Sequence, residues 1–155
     1  MNYLKMGVFM EGIELTEDRE DIERCFPVMK QLRPHLLEKE FVNRVEHQQK
    51  QGYQLARLEL DGLVKAVAGF RISESLGHGK FMYVDDLVTD SSQRSRGYGD
   101  SLFDWLVAFA KAAECEELRL DCAVHRFDAH RFYLRKRMNL TTHHLILNLS
   151  EKVED

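Results

Sequence analysis

Residues 83–113 read YVDDLVTD (83–90), SSQRSRGYG (91–99) and DSLFDWLVAFAKAA (100–113). The first piece is a short apolar run of the kind that forms a buried strand, and the last repeats its apolar residues at helical spacing. Between them a polar loop places Gly97 and Gly99 two residues apart. Strand, tight loop and helix follow one another without a gap.

The loop has the physics of an anion site. Glycines at 97 and 99 let the backbone take positive φ and lie close to a bound group. The first N–H groups of the following helix lack partners within the helix, and together with its dipole they attract negative charge. Arg94 and Arg96 add two cations. A phosphate or pyrophosphate fits.

Spacing separates three kinds of phosphate loop. A Walker-type loop requires G-x-x-x-x-G-K-[ST], and no Lys-Ser or Lys-Thr follows these glycines. The dinucleotide fingerprint G-x-G-x-x-G finds Leu102 in place of its third glycine. The segment Arg94-Ser95-Arg96-Gly97-Tyr98-Gly99 instead resembles the R/Q-x-x-G-x-G/A pyrophosphate loop of the GNAT superfamily of N-acetyltransferases, which binds acyl-coenzyme A. A glycine-rich turn that only joins strand to helix is the plainer alternative.

Composition narrows the class. The 155 residues suit one domain with a full core, so residues 1–155 are expected to form a single domain. With 44% hydrophobic and 31% charged residues the chain is globular, and its net charge of -4 gives no support to general nucleic-acid binding. No apolar run is long enough to span a bilayer and no signal-peptide core is visible, so a cytoplasmic protein without a membrane partner is expected. Cys25, Cys115 and Cys122 are odd in number and form no C-x-x-C pair. Neither disulfides nor a metal site is expected, since the histidines also lack metal-binding spacing.

Working outward, residues 6–15 read as a first strand. Thr16-Glu17-Asp18 supply capping oxygens for a helix carrying Ile22, Cys25, Phe26, Met29 and Leu32 on one face, kinked at Pro27 and ended by Pro34. A second helix fits 36–51, with Leu37, Phe41, Val42 and Val45 inward and Gly52 closing it. YQLARLEL and LVKAVAGFRIS flank Asp61-Gly62, a strong hairpin signal, and a third strand of the meander runs from Lys80 to Thr89. After the helix at 98–113 come a strand at LRLDCAV (118–124), a helix from Phe127 to Met138 and a last strand from Leu140 to Leu149. The order β-α-α-β-β-β-α-β-α-β implies an α/β fold, a central mixed antiparallel and parallel sheet flanked by helices. It is also the element order of the GNAT fold, so the resemblance extends over nearly the whole chain.

The resemblance assigns roles. Ala129-His130-Arg131-Phe132-Tyr133, followed by Met138, is similar to the family's A-x-x-F-Y-x-x-x-G-F segment, in which the tyrosine gives a proton to the departing thiolate; Tyr133 takes that position. An acceptor amine must also lose a proton, and a lysine-like amine of pKa about 10.4 is mostly protonated at pH 7. Asp85 and Asp86 precede the loop, and strand alternation predicts that only one faces the thioester. In polyamine-acetylating relatives it is the first acid, here Asp85, while many relatives use a water chain. The main chain of Leu87, Val88 and Thr89 matches the splayed strand that meets the acyl carbonyl and the cofactor's amide arm. Arg94, Ser95, Arg96, Gly97, Tyr98, Gly99, Asp100 and Ser101 match the pyrophosphate loop, and Arg126 a contact to the cofactor arm.

Some residues depart from the pattern. Ser95 and Arg137 replace frequent glycines, Arg126 a frequent asparagine, and Asp100 would repel a phosphate if it turned inward. Arg131 and Arg135 read as a solvated basic face, and His143-His144 as structural. Arg33-Pro34-His35 and Glu38 lie where similar proteins vary with their acceptor. The reading is an N-acetyltransferase using acetyl-coenzyme A and an amine acceptor not specified by the sequence, with a homodimer through an exposed strand edge as a further expectation. A non-catalytic acyl-coenzyme A-binding module would share the loop without needing Asp85 or Tyr133.

Overall fold

The computed structural model describes residues 10–150. The chain divides into two compact units, one up to Leu120 and one from Asp121. In the first unit the elements are β1 (Ile13–Leu15), α1 (Arg19–Arg24), α2 (Phe26–Leu32), α3 (Glu38–Gln49), β2 (Tyr53–Leu60), β3 (Leu63–Ser75), β4 (Gly79–Thr89), α4 (Tyr98–Ala112) and β5 (Glu117–Arg119). The second unit contributes α5 (Phe127–Arg135). Of the expected first strand, residues 6–9 lie outside the described residues.

The sheet order is β1-β2-β3-β4-β5; the first four strands pair antiparallel and β4 with β5 parallel. Asp61 and Gly62 both have positive φ, 54° and 73°, as a two-residue hairpin requires. Asp18 caps α1 by accepting from the Glu20 N–H at 2.9 Å. The expected single helix is broken at Pro27, in the first turn of α2, where a missing N–H costs nothing.

Two cores lie on opposite faces of the sheet. On one, Leu102, Trp105, Leu106 and Phe109 of α4 pack on Ala56, Leu58, Ala68, Phe70, Met82 and Val84. On the other, Ile22, Cys25, Phe26, Met29, Phe41 and Val45 of the first three helices meet Tyr53, Leu55 and Val67. Leu37, expected inward, is exposed, because α3 begins one residue later and Leu37 stands outside its periodicity; Leu36 is buried instead.

The C-terminal part differs more. β5 spans three residues and not 118–124, and α5 stops at Arg135. The last strand expected at 140–149 is absent among the described residues: Leu140, Leu145, Ile146, Leu147 and Leu149 are exposed, and no ladder partner holds the segment extended.

Candidate active site

The site is organised by one irregularity in the sheet. Between Gly69 and Phe70 the register of β3 on β4 slips, so that Gly69 opposes Asp86 while Phe70 opposes Val84, and Asp85 is left without a partner. An inserted residue of this kind interrupts the side-chain alternation. Met82, Val84 and Leu87 therefore face α4, whereas Asp85 and Asp86 both line a cavity on the face covered by α1–α3. The expectation that only one of the two acids faces the site is corrected here.

The bulge is held by side chains. Arg33, at the end of α2, donates from Nη2 to the main-chain carbonyl of Asp85 and from Nε to Asp86 Oδ1, both at 2.9 Å. Tyr53 Oη donates to Asp86 Oδ2 at 2.9 Å, so both oxygens of Asp86 are engaged. Asp85 gives only Oδ2 to a hydrogen bond among the described residues, accepting from Arg71 Nε at 3.2 Å. Arg71 in turn donates to Gln48 Oε1 at 2.7 Å and stacks over the Tyr53 ring.

These neighbours tune the acids. Partial burial pushes the Asp85 carboxyl above the usual carboxylate range; the Arg71 guanidinium pulls it back, and the adjacent Asp86 adds to the rise. Burial, with the Asp86 charge and hydrogen bond, raises the Tyr53 phenol well above its usual value and keeps it a donor. The cavity measures about 310 Å³ and is lined by Met29, Leu36, Phe41 and Val45 as well as by Arg33, His35, Arg44, Gln48, Tyr53 and Tyr83. Glu38, expected beside Arg33 and His35, is an exposed residue of the first turn of α3.

Past the bulge, the β4 edge on the β5 side is open, with no ladder partner among the described residues. The ladder with β5 covers only Phe81, Met82 and Tyr83, whereas Leu87, Val88 and Thr89 pair on the other side with Ala68, Val67 and Ala66. The loop that follows is anchored by Gln31, which accepts from the Ser91 N–H at 2.8 Å, and by Asp90, which accepts from the Ser92 N–H at 3.0 Å. Gly97 then occupies the N-cap of α4 in left-handed backbone (φ 80°, ψ 7°), and no side chain caps the helix. Ser95 is also left-handed, with φ 64°, so the serine keeps the conformation that a glycine would supply freely.

These residues fit a pyrophosphate. A 15-residue helix opens there without a side-chain cap, Arg94 and Arg96 are exposed, and a Cβ on Gly97 would meet nothing within 4 Å. Gly99 sits close against Thr89: a Cβ there would lie 3.0 Å from Thr89 Oγ1 and the hydroxyl would have to give way. The Tyr98 ring packs against the α4-side core, which leaves its main chain for a ligand. Asp100 and Ser101 are exposed in the first turn.

In the second unit, Arg126 is the N-cap residue of α5 and Tyr133 lies on that helix. Burial pushes the Tyr133 phenol up to about 12, with Cys122 adding to the rise and Arg126 opposing it. Arg137 has φ 65° and ends α5 in a Schellman motif: its N–H and that of Met138 donate to the carbonyls of Leu134 and Tyr133 at 3.0 and 3.1 Å. Arg131 pairs with exposed Asp128, as a solvated basic face implies, and His144 Nδ1 lies 2.8 Å from Asp121 Oδ2.

Tyr53, Arg71, Arg44 and Gln48 were not singled out by sequence reasoning. One signal was present: Gly69, alone inside an apolar strand, marks a bulge or a close backbone approach.

A model of the acetyltransferase (GNAT) family matches residues 17–138. The Uncharacterized N-acetyltransferase YhdJ of Bacillus subtilis (strain 168) is 33% identical over 119 residues, which cover 76% of this chain and 84% of that protein. Among solved structures, a transcriptional regulator from Bacillus halodurans C-125 aligns with a TM-score of 0.77 at 19% identity, over 88% of this chain and 98% of that one. Ribosomal-protein-alanine N-acetyltransferase from Brucella melitensis biovar Abortus 2308 aligns with a TM-score of 0.76 at 15% identity, over 88% and 99%. Both structural likenesses speak for the fold, which is that of the GNAT enzymes. The chain belongs to the GNAT acetyltransferase family and is a GNAT-type N-acetyltransferase, a class that uses acetyl-coenzyme A as donor and acetylates amines.

Proposed function

We propose that the protein moves an acetyl group from acetyl-coenzyme A directly to a primary amine, with Asp85 as general base and Tyr133 as general acid. The observation that carries this reading is the bulge that turns Asp85 into the cavity while Arg33 and Tyr53 satisfy Asp86. Acetyl-coenzyme A supplies the acetyl group as a thioester already activated for attack. The main chain from Ser95 to Ser101, with Arg94 and Arg96, holds the pyrophosphate. Main-chain groups of Leu87, Val88 and Thr89 on the open edge of β4 orient the acyl end, and Arg126 serves the cofactor arm.

Asp85 removes the ammonium proton of the acceptor, and its raised pKa brings it closer to that task than an exposed carboxylate. Tyr133 keeps its proton up to about pH 12 and donates it towards the departing sulfur. Direct transfer is supported by the cysteines. Burial pushes the Cys25 thiol up to about 12 and raises Cys115 and Cys122, so thiolate is scarce at neutral pH and a covalent acyl-enzyme is disfavoured. All three are free, which supports a reducing, cytoplasmic setting. The family match runs across Leu120, which supports a single catalytic domain.

An amine panel with acetyl-coenzyme A, read by thiol release, tests the proposal. Release that depends on an amine and is lost in Asp85→Asn is expected. Release equal to the amine-free background for every acceptor would overturn it.

A further inference from the structure

The cavity that receives the acceptor is acidic in sequence but not in balance. Asp85 is paired with Arg71 and Asp86 with Arg33, so each carboxylate already has a guanidinium, and Tyr53 adds a hydrogen bond to Asp86. Arg44 also lines the cavity, from α3, and makes no ion pair or hydrogen bond among the described residues. His35 lines it as well. Arg33 and Arg44 line the cavity and Arg71 pairs with Asp85 from beside it, so three guanidiniums are set against two carboxylates and the local balance does not favour a polycation although the whole chain is net negative. The volume of about 310 Å³ stands at the small end of ligand sites and suits a small molecule.

We propose that the acceptor is a small amine that also carries an anionic group, a carboxylate or a phosphate, and that Arg44 pairs with that group. A guanidinium binds either group through two parallel N–H donors, which adds orientation to attraction and presents the amine end to Asp85. This inference rests on the acetyl-transfer reading and specifies its acceptor.

The test compares amines with and without the anion: L-amino acids against their amides, and O-phosphoethanolamine against ethanolamine. The amides have the more readily deprotonated amines, so a preference for the acids cannot come from amine basicity. The anionic members should be acetylated with kcat/KM at least tenfold higher in one of the two arms, and the favoured arm tells carboxylate from phosphate. Arg44→Glu should cut that preference at least tenfold, chiefly through KM, and Arg44→Lys should keep part of it. Arg44 is exposed, so neither change threatens the fold. Binding of the N-acetylated products in the presence of coenzyme A, followed by calorimetry, gives a second readout.

Faster acetylation of the uncharged members would overturn the inference and leave the transferase reading intact. Tighter binding of acidic products with no acetylation of any amine would overturn the reading and the acceptor assignment with it, leaving Arg44 as an anion contact only. Neither turnover nor preferential binding would overturn both.

Discussion

The hydroxyl of Tyr53 occupies the space where a side chain on Gly69 would begin: a Cβ there would lie 1.9 Å from Tyr53 Oη and 2.5 Å from Cζ. Gly69 is also the residue opposite Asp86, to which that hydroxyl donates. The bare α-carbon, the buried phenol and the bulged acid therefore form one unit.

Gly69→Ala should displace Tyr53 and leave Asp86 short of a donor, at a cost of about 1–3 kcal/mol in overpacking. Urea unfolding measures it. Adding Tyr53→Phe should not restore stability, because the ring carbon would still clash; full recovery in the double variant would disprove this account of the glycine.

Asp85→Asn should lower kcat by about 10²–10⁴ with little change in melting temperature, the range for loss of a general base. Asp86→Asn should act mainly on stability, because both of its oxygens are engaged within the protein. Equal losses of activity in the two variants would refute the division of labour.

The pH dependence has a defined sign. The base acts when ionised, so kcat should rise with pH through an acid limb above the ordinary carboxylate value. Arg71 lowers this pKa and Asp86 raises it; Arg71→Met should move the limb to higher pH and Asp86→Asn to lower pH. Since the folded state holds the Asp85 proton more tightly than the unfolded chain, this group's contribution to stability should fall as pH rises from about 3.9 through the raised value. Movement of the kinetic limb in the opposite direction in either variant would exclude Asp85 as the titrating base.

Acetyl-coenzyme A at 100 times its Kd should stabilise the protein by about 2.7 kcal/mol. Gly97→Val should abolish that shift at modest cost to the free protein, as a Cβ there meets nothing within 4 Å and the penalty is the backbone at φ 80°. Gly99→Val should also lower the stability of the free protein, because of Thr89. A normal shift in Gly97→Val would remove the loop from the donor site.

Besides Asp61 in the hairpin turn, three residues other than glycine hold left-handed backbone among the described residues: Ser95, Glu114 and Arg137. Replacing Glu114 or Arg137 by glycine should stabilise the protein by up to about 1 kcal/mol each, relief of backbone strain outweighing the added freedom of the unfolded chain. Chemical denaturation of the single variants decides it, and destabilisation by both would contradict the strain.

What the sequence settled was local. The α4 periodicity, the Asp61-Gly62 turn and the left-handed loop at Gly97 each follow from a few neighbouring residues whose allowed backbone is narrow, and the structure has each where the pattern predicts it, whereas the kink expected at Pro27 is a full break between two helices. The partnership of Asp85 and Asp86 was decided in three dimensions. A one-residue slip between β3 and β4 reverses the facing of every later side chain, and that slip depends on Arg33, Tyr53 and Gly69, which stand far apart along the chain. The apolar run after α5 gives the same lesson in reverse. Its composition suits a strand, but a strand exists only where a neighbouring edge takes its hydrogen bonds.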